Sequence, residues 1–181
     1  MEFVILGLLA LRAMTIYDIN KTLEKGISLF YSASFGSINA AIGKMLTKGW
    51  LSAEEKVENG RNKKVFSLTP AGQQAFQAWL GSEIEAEKVK DPALTRLFFM
   101  GMLPIEQRIP LLETHLNNLR QTLDALNIIR QSSINVQVED ALQDIFDYQL
   151  FTLQYGCDFY TFNINWYQSL LEKLKKQSPA L

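Results

Sequence analysis

The sequence predicts a mostly α-helical protein, with an N-terminal winged helix-turn-helix carrying a small β-hairpin wing and a C-terminal region of long helices through which two copies pair. Three observations predict it. Ser34 to Leu68 reads as a capped amphipathic helix followed by two short strand-like runs around Glu58-Asn59-Gly60-Arg61, the element order of a winged helix. Helix start signals stand on both sides of that run, at Thr15 and at Thr69-Pro70. In the second half, leucines and aromatic residues recur three and four apart over stretches that only long helices reach. The boundary is expected near Lys90, giving a DNA-binding domain over 1–90 and a helical dimerisation domain over 91–181.

Residues 1 to 11 form a helix that is apolar nearly all round, so it should be enclosed on several sides and pack against more than its own domain. The next helix runs from Thr15 to Lys25, with Asp18 three residues after Thr15 in a capping-box position and Gly26 as its stop. Ser34 caps a third helix whose buried face carries Ile38, Ala41, Ile42, Met45 and Leu46, and Gly49 ends it. Asn59-Gly60 supplies the tight turn of the hairpin. Thr69 then caps a helix with Pro70 at its first position, where a missing N–H costs nothing. Glu83 to Asp91 is dense in charge and ends at Asp91-Pro92, which marks the junction to the second part.

Beyond the junction, Ile105, Ile109, Leu112, Leu116, Leu119, Leu123 and Leu126 form the seam of one long helix, in which Pro110 marks a kink or restart. After a polar break at Gln131 to Asn135, Leu150, Leu153, Cys157, Tyr160, Ile164, Tyr167, Leu171 and Leu174 repeat the rhythm, so the two helices should pair as an antiparallel hairpin. The later helix also carries a displaced stripe of Tyr148, Phe151, Tyr155, Phe159, Phe162, Trp166 and Leu170. One partner helix cannot cover both. The simplest cover is the same helix, or the apolar first helix, of a second copy, which favours a symmetric homodimer.

Ser34, Ser37, Asn39 and Lys44 lie on the less apolar side of the Ser34 helix, where polar side chains reach phosphates or base edges in a major groove. Arg61, Lys63 and Lys64 crowd the hairpin tip, as suits a wing over the phosphate backbone. The rings of Phe151, Tyr155, Phe159, Phe162 and Trp166 are first of all core and interface, yet an aromatic wall between subunits also accepts a flat apolar small molecule. His115 has no second histidine or nearby cysteine, and Glu139, Asp140, Asp144 and Asp147 read as a solvated helix face, so no metal is expected. With no nucleophile elbow, phosphate-cradling glycine loop or Cys-His arrangement, neither an enzyme nor a cofactor is expected. Cys157 falls among apolar helical positions and reads as a buried structural thiol.

The chain has 181 residues, almost half of them apolar, enough for a sizeable core. Residues 1–80 carry nine Lys and Arg against six Asp and Glu, and residues 81–181 nine against thirteen. The basic excess therefore falls in the winged-helix half, as phosphate partners would require. The apolar run from Phe3 to Leu11 is far shorter than the roughly 20 residues of a membrane span, and no basic segment precedes it, so a cytoplasmic location is expected.

Several ordered motifs resemble the PadR family of bacterial transcriptional regulators: Leu6-Gly7-Leu8-Leu9, Tyr17-Asp18-Ile19, Gly36-Ser37-Ile38, Lys48-Gly49-Trp50-Leu51, Lys63-Lys64-Val65-Phe66 and Leu68-Thr69-Pro70-Ala71-Gly72. Asp91-Pro92-Ala93-Leu94 through Phe98-Phe99 and the late Trp166 extend the resemblance over nearly the whole chain. Asn39-Ala40 stands where the family usually has Tyr-Pro, Ile16 where it has Gly, and Asn62 where it often has Pro. These departures bear on the operator sequence rather than the fold. The resemblance implies a dimeric regulator and, as in some relatives, release from DNA by a small molecule. The resulting expectation is a homodimeric repressor on double-stranded DNA with an inverted-repeat operator, relieved by a small aromatic or apolar effector. The competing reading is a winged-helix protein-interaction module that has lost DNA binding.

Overall fold

The computed structural model describes residues 1–24, 34–58, 61–84 and 91–177, apart from the side chains of Glu58, Arg61 and Gln177. Gly26, the Asn59-Gly60 turn and the boundary at Lys90 lie outside the described residues. The chain divides into two compact units, Met1–Glu87 and Lys88–Leu181.

The first unit runs α1 (Glu2–Leu11), β1 (Met14–Thr15), α2 (Ile16–Thr22), α3 (Phe35–Thr47), β2 (Leu51–Glu58), β3 (Arg61–Leu68) and α4 (Pro70–Leu80). Both helix starts in its helix-turn-helix are capping boxes. The Thr15 N–H donates to Asp18 Oδ2 at 3.1 Å, while the Asp18 N–H donates to Thr15 Oγ1 at 3.2 Å. Ser34 and Ser37 exchange the same pair of bonds at the start of α3, at 3.1 and 3.2 Å. Gly49, at φ +69°, closes α3: the Trp50 N–H donates to the Met45 carbonyl at 2.9 Å and the Gly49 N–H to the Leu46 carbonyl at 3.0 Å, the two bonds of a Schellman termination.

That turn is also the anchor of α4. The Thr69 hydroxyl donates to the Gly49 carbonyl at 2.7 Å and the Thr69 N–H to the Trp50 carbonyl at 3.0 Å. Gly72 lies so close that an added Cβ would stand 2.2 Å from the Trp50 carbonyl oxygen. The strands form an antiparallel sheet in the order β1-β3-β2, with Met14 opposite Phe66, and Leu51 opposite Leu68 through to Glu58 opposite Arg61. Ile5, Leu6, Ile19, Ile38, Met45 and Phe66 sit in one core. The α1 helix is buried along one side within its own unit, through Ile5, Leu6, Leu8 and Leu9 and with Phe3 stacked on Trp79 of α4 at 4.9 Å, while Ala10 and Leu11 are exposed.

The second unit contains α5 (Pro92–Phe99), a 3-10 turn at Met100–Met102, α6 (Ile105–Ser133), a second 3-10 turn at Asp140–Leu142 and α7 (Gln143–Gln177). Asp91-Pro92 starts α5, with Asp91 Oδ1 accepting from the Ala93 N–H at 2.7 Å and the Leu94 N–H at 3.1 Å. The α6 helix begins at Ile105 and continues through Pro110 without a restart. It packs antiparallel on α7, as shown by Glu113 meeting Lys175 at 2.7 Å, Arg120 meeting Gln168, and Leu126 lying over Gly156. Leu112, Leu116 and Leu126 of the first seam and Cys157, Tyr167 and Leu171 of the second are buried. Among the described residues no helix is long and apolar enough to cross a membrane.

Candidate nucleic-acid interface

The buried face of α3 is Ile38, Ala41, Ile42 and Met45, so its opposite face is turned out of the core. The centre of that outer face is Gly36, Ala40, Gly43 and Thr47, with Ser37, Asn39 and Lys44 on its flanks, and all seven are exposed. The surface is thus a shallow trough of small residues edged by polar ones. It admits another backbone closely. Gly43 has no atom within 4 Å of the position its Cβ would take. No neighbour in the fold demands a glycine there.

Four candidates on α3 divide into two pairs. Ser34 and Ser37 are engaged in the cap, where Ser37 Oγ accepts from the Ser34 N–H and donates to the Ser34 carbonyl at 2.7 Å. Their hydroxyls hold the helix start; the Ser34 Oγ keeps its donor, whereas the Ser37 Oγ has already given its proton to the Ser34 carbonyl. Asn39 and Lys44 are exposed and make no hydrogen bond or ion pair among the described residues. They are the side chains of the set that can reach outward. The sequence reading did not single out Gly36, Ala40, Gly43 or Thr47, because small residues give no chemical signal; their helical spacing opposite the apolar stripe is the signal that finds them.

The wing separates the basic residues. Cross-strand register sets Lys56 opposite Lys63 and Glu55 opposite Lys64, and side chains alternate between faces along a strand. Lys63 therefore faces the side that holds Lys56, and Lys64 the other. Both are exposed. Lys63 also acts on Asp18, whose carboxyl is held below 3.8 by its bonds from the Thr15 hydroxyl and backbone, with smaller help from Arg12 and Lys63. Arg61 opens β3, and its side chain is outside the described residues. On α2, exposed Tyr17 carries the Lys21 ammonium 6.0 Å from its ring centre. In helix-turn-helix docking the helix before the recognition helix crosses the DNA backbone, which makes this pair a further candidate for phosphate contact. Lys48 is occupied differently, pairing with Glu2 at 2.7 Å and lying 4.3 Å over the Trp50 ring.

In the second unit, α7 presents both predicted stripes. Its first seam faces α6, while Tyr148, Phe151, Tyr155, Phe159, Phe162 and Trp166 remain between 43% and 72% exposed. Phe162 and Trp166 border a shallow depression of about 350 Å³ that also involves Leu170 and Lys173. A single chain leaves this aromatic face bare. Cys157 is buried, with a free thiol. His115 lies edge-on to the Tyr167 ring at 4.6 Å.

The sequence matches the transcriptional regulator PadR-like family over residues 5–78 and the virulence activator alpha C-terminal family over residues 89–175. The negative transcriptional regulator PadR of Bacillus subtilis (strain 168) is 25% identical over 128 residues, which is 70% of each chain. Two crystal structures of Bacillus subtilis PadR are similar in fold at 21% sequence identity, each covering 96% of this chain and 98% of the other. The complex with operator DNA gives a TM-score of 0.80, and the complex with p-coumaric acid gives 0.75. The likeness includes both the winged helix and the long C-terminal helices.

Proposed function

The chain belongs to the PadR-like family of transcriptional regulators, and from that premise we propose that it is a dimeric, sequence-specific DNA-binding repressor whose operator is an inverted repeat. The observation that carries this reading is the outer face of α3, with Asn39 and Lys44 free to reach outward on either side of the Gly36, Ala40, Gly43 and Thr47 trough. Asn and Lys are side chains that bond adenine and guanine edges, and the trough lets the helix backbone sink into a major groove. Exposed Lys64 on the wing and Lys21 on α2 supply phosphate contacts on either side. Support for repression comes from the Bacillus subtilis relative, a negative regulator crystallised with operator DNA.

A footprint of the purified protein on its own upstream region tests the reading. The expected result is a protected inverted repeat, bound with an affinity that falls steeply with salt. A folded protein that shows no salt-dependent protection would instead be a winged-helix interaction module.

We place an effector against the aromatic stripe, where Phe151, Tyr155, Phe159, Phe162 and Trp166 of two copies would wall in a flat apolar molecule. The relative crystallised with p-coumaric acid supports the ligand class. Releasing DNA tenfold requires about 1.4 kcal/mol of preference for the dimer geometry that mismatches the operator. Titrating aromatic acids into wild type and Trp166→Phe, with fluorescence and operator binding followed together, tests this. Ligands that quench Trp166 but leave operator affinity unchanged would restrict the stripe to an interface.

A further inference from the structure

A separate cavity of about 710 Å³ lies within the second unit, between α5, the following 3-10 turn, α6 and α7. Its floor is buried Leu112 and Tyr167, and its upper walls are Leu97, Met100, Leu103 and Leu111. Unbranched, adaptable methionine beside γ-branched leucine makes a deformable apolar wall, which suits a flexible chain better than a rigid ring. The volume falls in the range of small-molecule sites and is well beyond what one ring fills.

The polar content of the lining is sparse and asymmetric. Arg96, in the last turn of α5, borders the cavity and has no ion pair or hydrogen bond among the described residues. The neighbouring Arg108, by contrast, is committed: its guanidinium donates to the Leu103 carbonyl at 2.6 Å and the Gly101 carbonyl at 3.0 Å, pinning the turn that forms the rim. Asp91 is likewise occupied as the α5 cap. Burial, with the charge of Asp91, raises the Tyr167 phenol above 10, so this hydroxyl stays uncharged at neutral pH; Thr95 and His115, edge-on to Tyr167 at 4.6 Å, are the other polar side chains of the lining. One open guanidinium at the edge of a Leu- and Met-lined pocket is the complement of a carboxylate on an alkyl tail.

We propose that this cavity is a binding site for a medium- to long-chain alkyl carboxylate, with Arg96 holding the carboxylate and the tail lying over Leu112 and Tyr167. The site is distinct from the aromatic stripe and from the DNA-facing surface. Its occupation is independent of whether the chain represses transcription.

Calorimetric titration of the full chain with octanoate, decanoate and dodecanoate below their micelle concentrations tests it. The expected result is saturable binding that tightens about fourfold for each methylene taken up, until the cavity is full. Arg96→Gln, an exposed position whose change leaves the core intact, should weaken dodecanoate binding at least tenfold while leaving dodecanol unaffected. Leu111→Trp, at the half-open mouth, should block both ligands without changing the melting temperature greatly. Dodecanoate binding that survives both substitutions would place the ligand on the aromatic stripe and overturn the assignment. So would a cinnamate that binds more tightly than dodecanoate, or an affinity that does not depend on chain length. Operator binding measured on the same samples without ligand separates the two readings, since failure there leaves the cavity result standing.

Discussion

Gly43 and Gly72 sit in opposite situations, and the contrast separates a glycine needed by the fold from one the fold does not use. A Cβ on Gly72 would collide with the Trp50 carbonyl oxygen at 2.2 Å, and that carbonyl also receives the Thr69 N–H. Gly72→Ala is therefore expected to destabilise the protein by about 1–3 kcal/mol through overpacking against backbone. Gly43 is exposed in mid-helix with open space around it. Gly43→Ala should stabilise by about 0.5–1 kcal/mol, yet weaken operator binding if α3 seats its trough on DNA. Thermal melts and operator titrations of both variants check this; unchanged operator affinity for Gly43→Ala would take the centre of α3 off the DNA. Asp18 makes a prediction about pH. Its folded carboxyl is held below the ordinary 3.8 mainly by the Thr15 bonds, so its contribution is fully present above that value and is lost as pH falls through the lower folded value. Asp18→Ala should cost about 1 kcal/mol at pH 7, and the gap to wild type should narrow below pH 3.8. A gap that is constant down to pH 2 would remove the charge from the explanation.

At the scale of elements, the wing behaves differently from a cluster of like residues. Lys63 and Lys64 are adjacent in sequence but face opposite sides of the hairpin, and Lys63 already acts on Asp18. Lys64→Ala is expected to lower the salt slope of operator binding by about one unit, with Lys63→Ala having a smaller effect. Equal slopes for Lys64→Ala and wild type would show that this face of the wing stays in solvent. Much of the element order was legible in the sequence because the relevant residues are themselves the mechanism: Thr15 with Asp18, Ser34 at the start of α3, and Thr69-Pro70 cap helices by their own side chains. The α6 and α7 seams were legible because their repeats run for many turns. Strand β1 was not, since two residues carry no periodicity and Met14-Thr15 is a strand only by pairing with Phe66 and Val65. Asp91-Pro92 reads as a junction, and Asp91 in addition caps α5; a cap and a breaker share the same residue types. Ser37 reads as a candidate base contact, and only the geometry of its bonds to Ser34 shows that its hydroxyl also caps α3. The cavity beside Arg96 is assembled from segments far apart in the chain and leaves no local pattern.

For the whole molecule, the decisive quantity is apolar surface that one chain cannot bury. The α7 helix sets one stripe against α6 and leaves six large rings 43% to 72% bare along the other, a contiguous patch of the kind soluble monomers rarely expose. We infer that the same face of α7 in a second copy covers it, since it matches in length and such a contact is self-complementary by two-fold symmetry. Two winged helices related in that way would meet DNA half-sites one helical turn, roughly 34 Å, or a multiple of it apart. Phe151→Glu combined with Phe162→Glu places charge on the stripe at two largely exposed positions, so the hairpin should keep its helical content. Sedimentation at micromolar concentration is expected to give a dimer for wild type and a monomer for the double variant, with operator binding reduced to the weak level of a single half-site. A wild-type monomer, or a double-glutamate variant that remains dimeric, would mean that the rings serve another partner and that operator symmetry has a different origin.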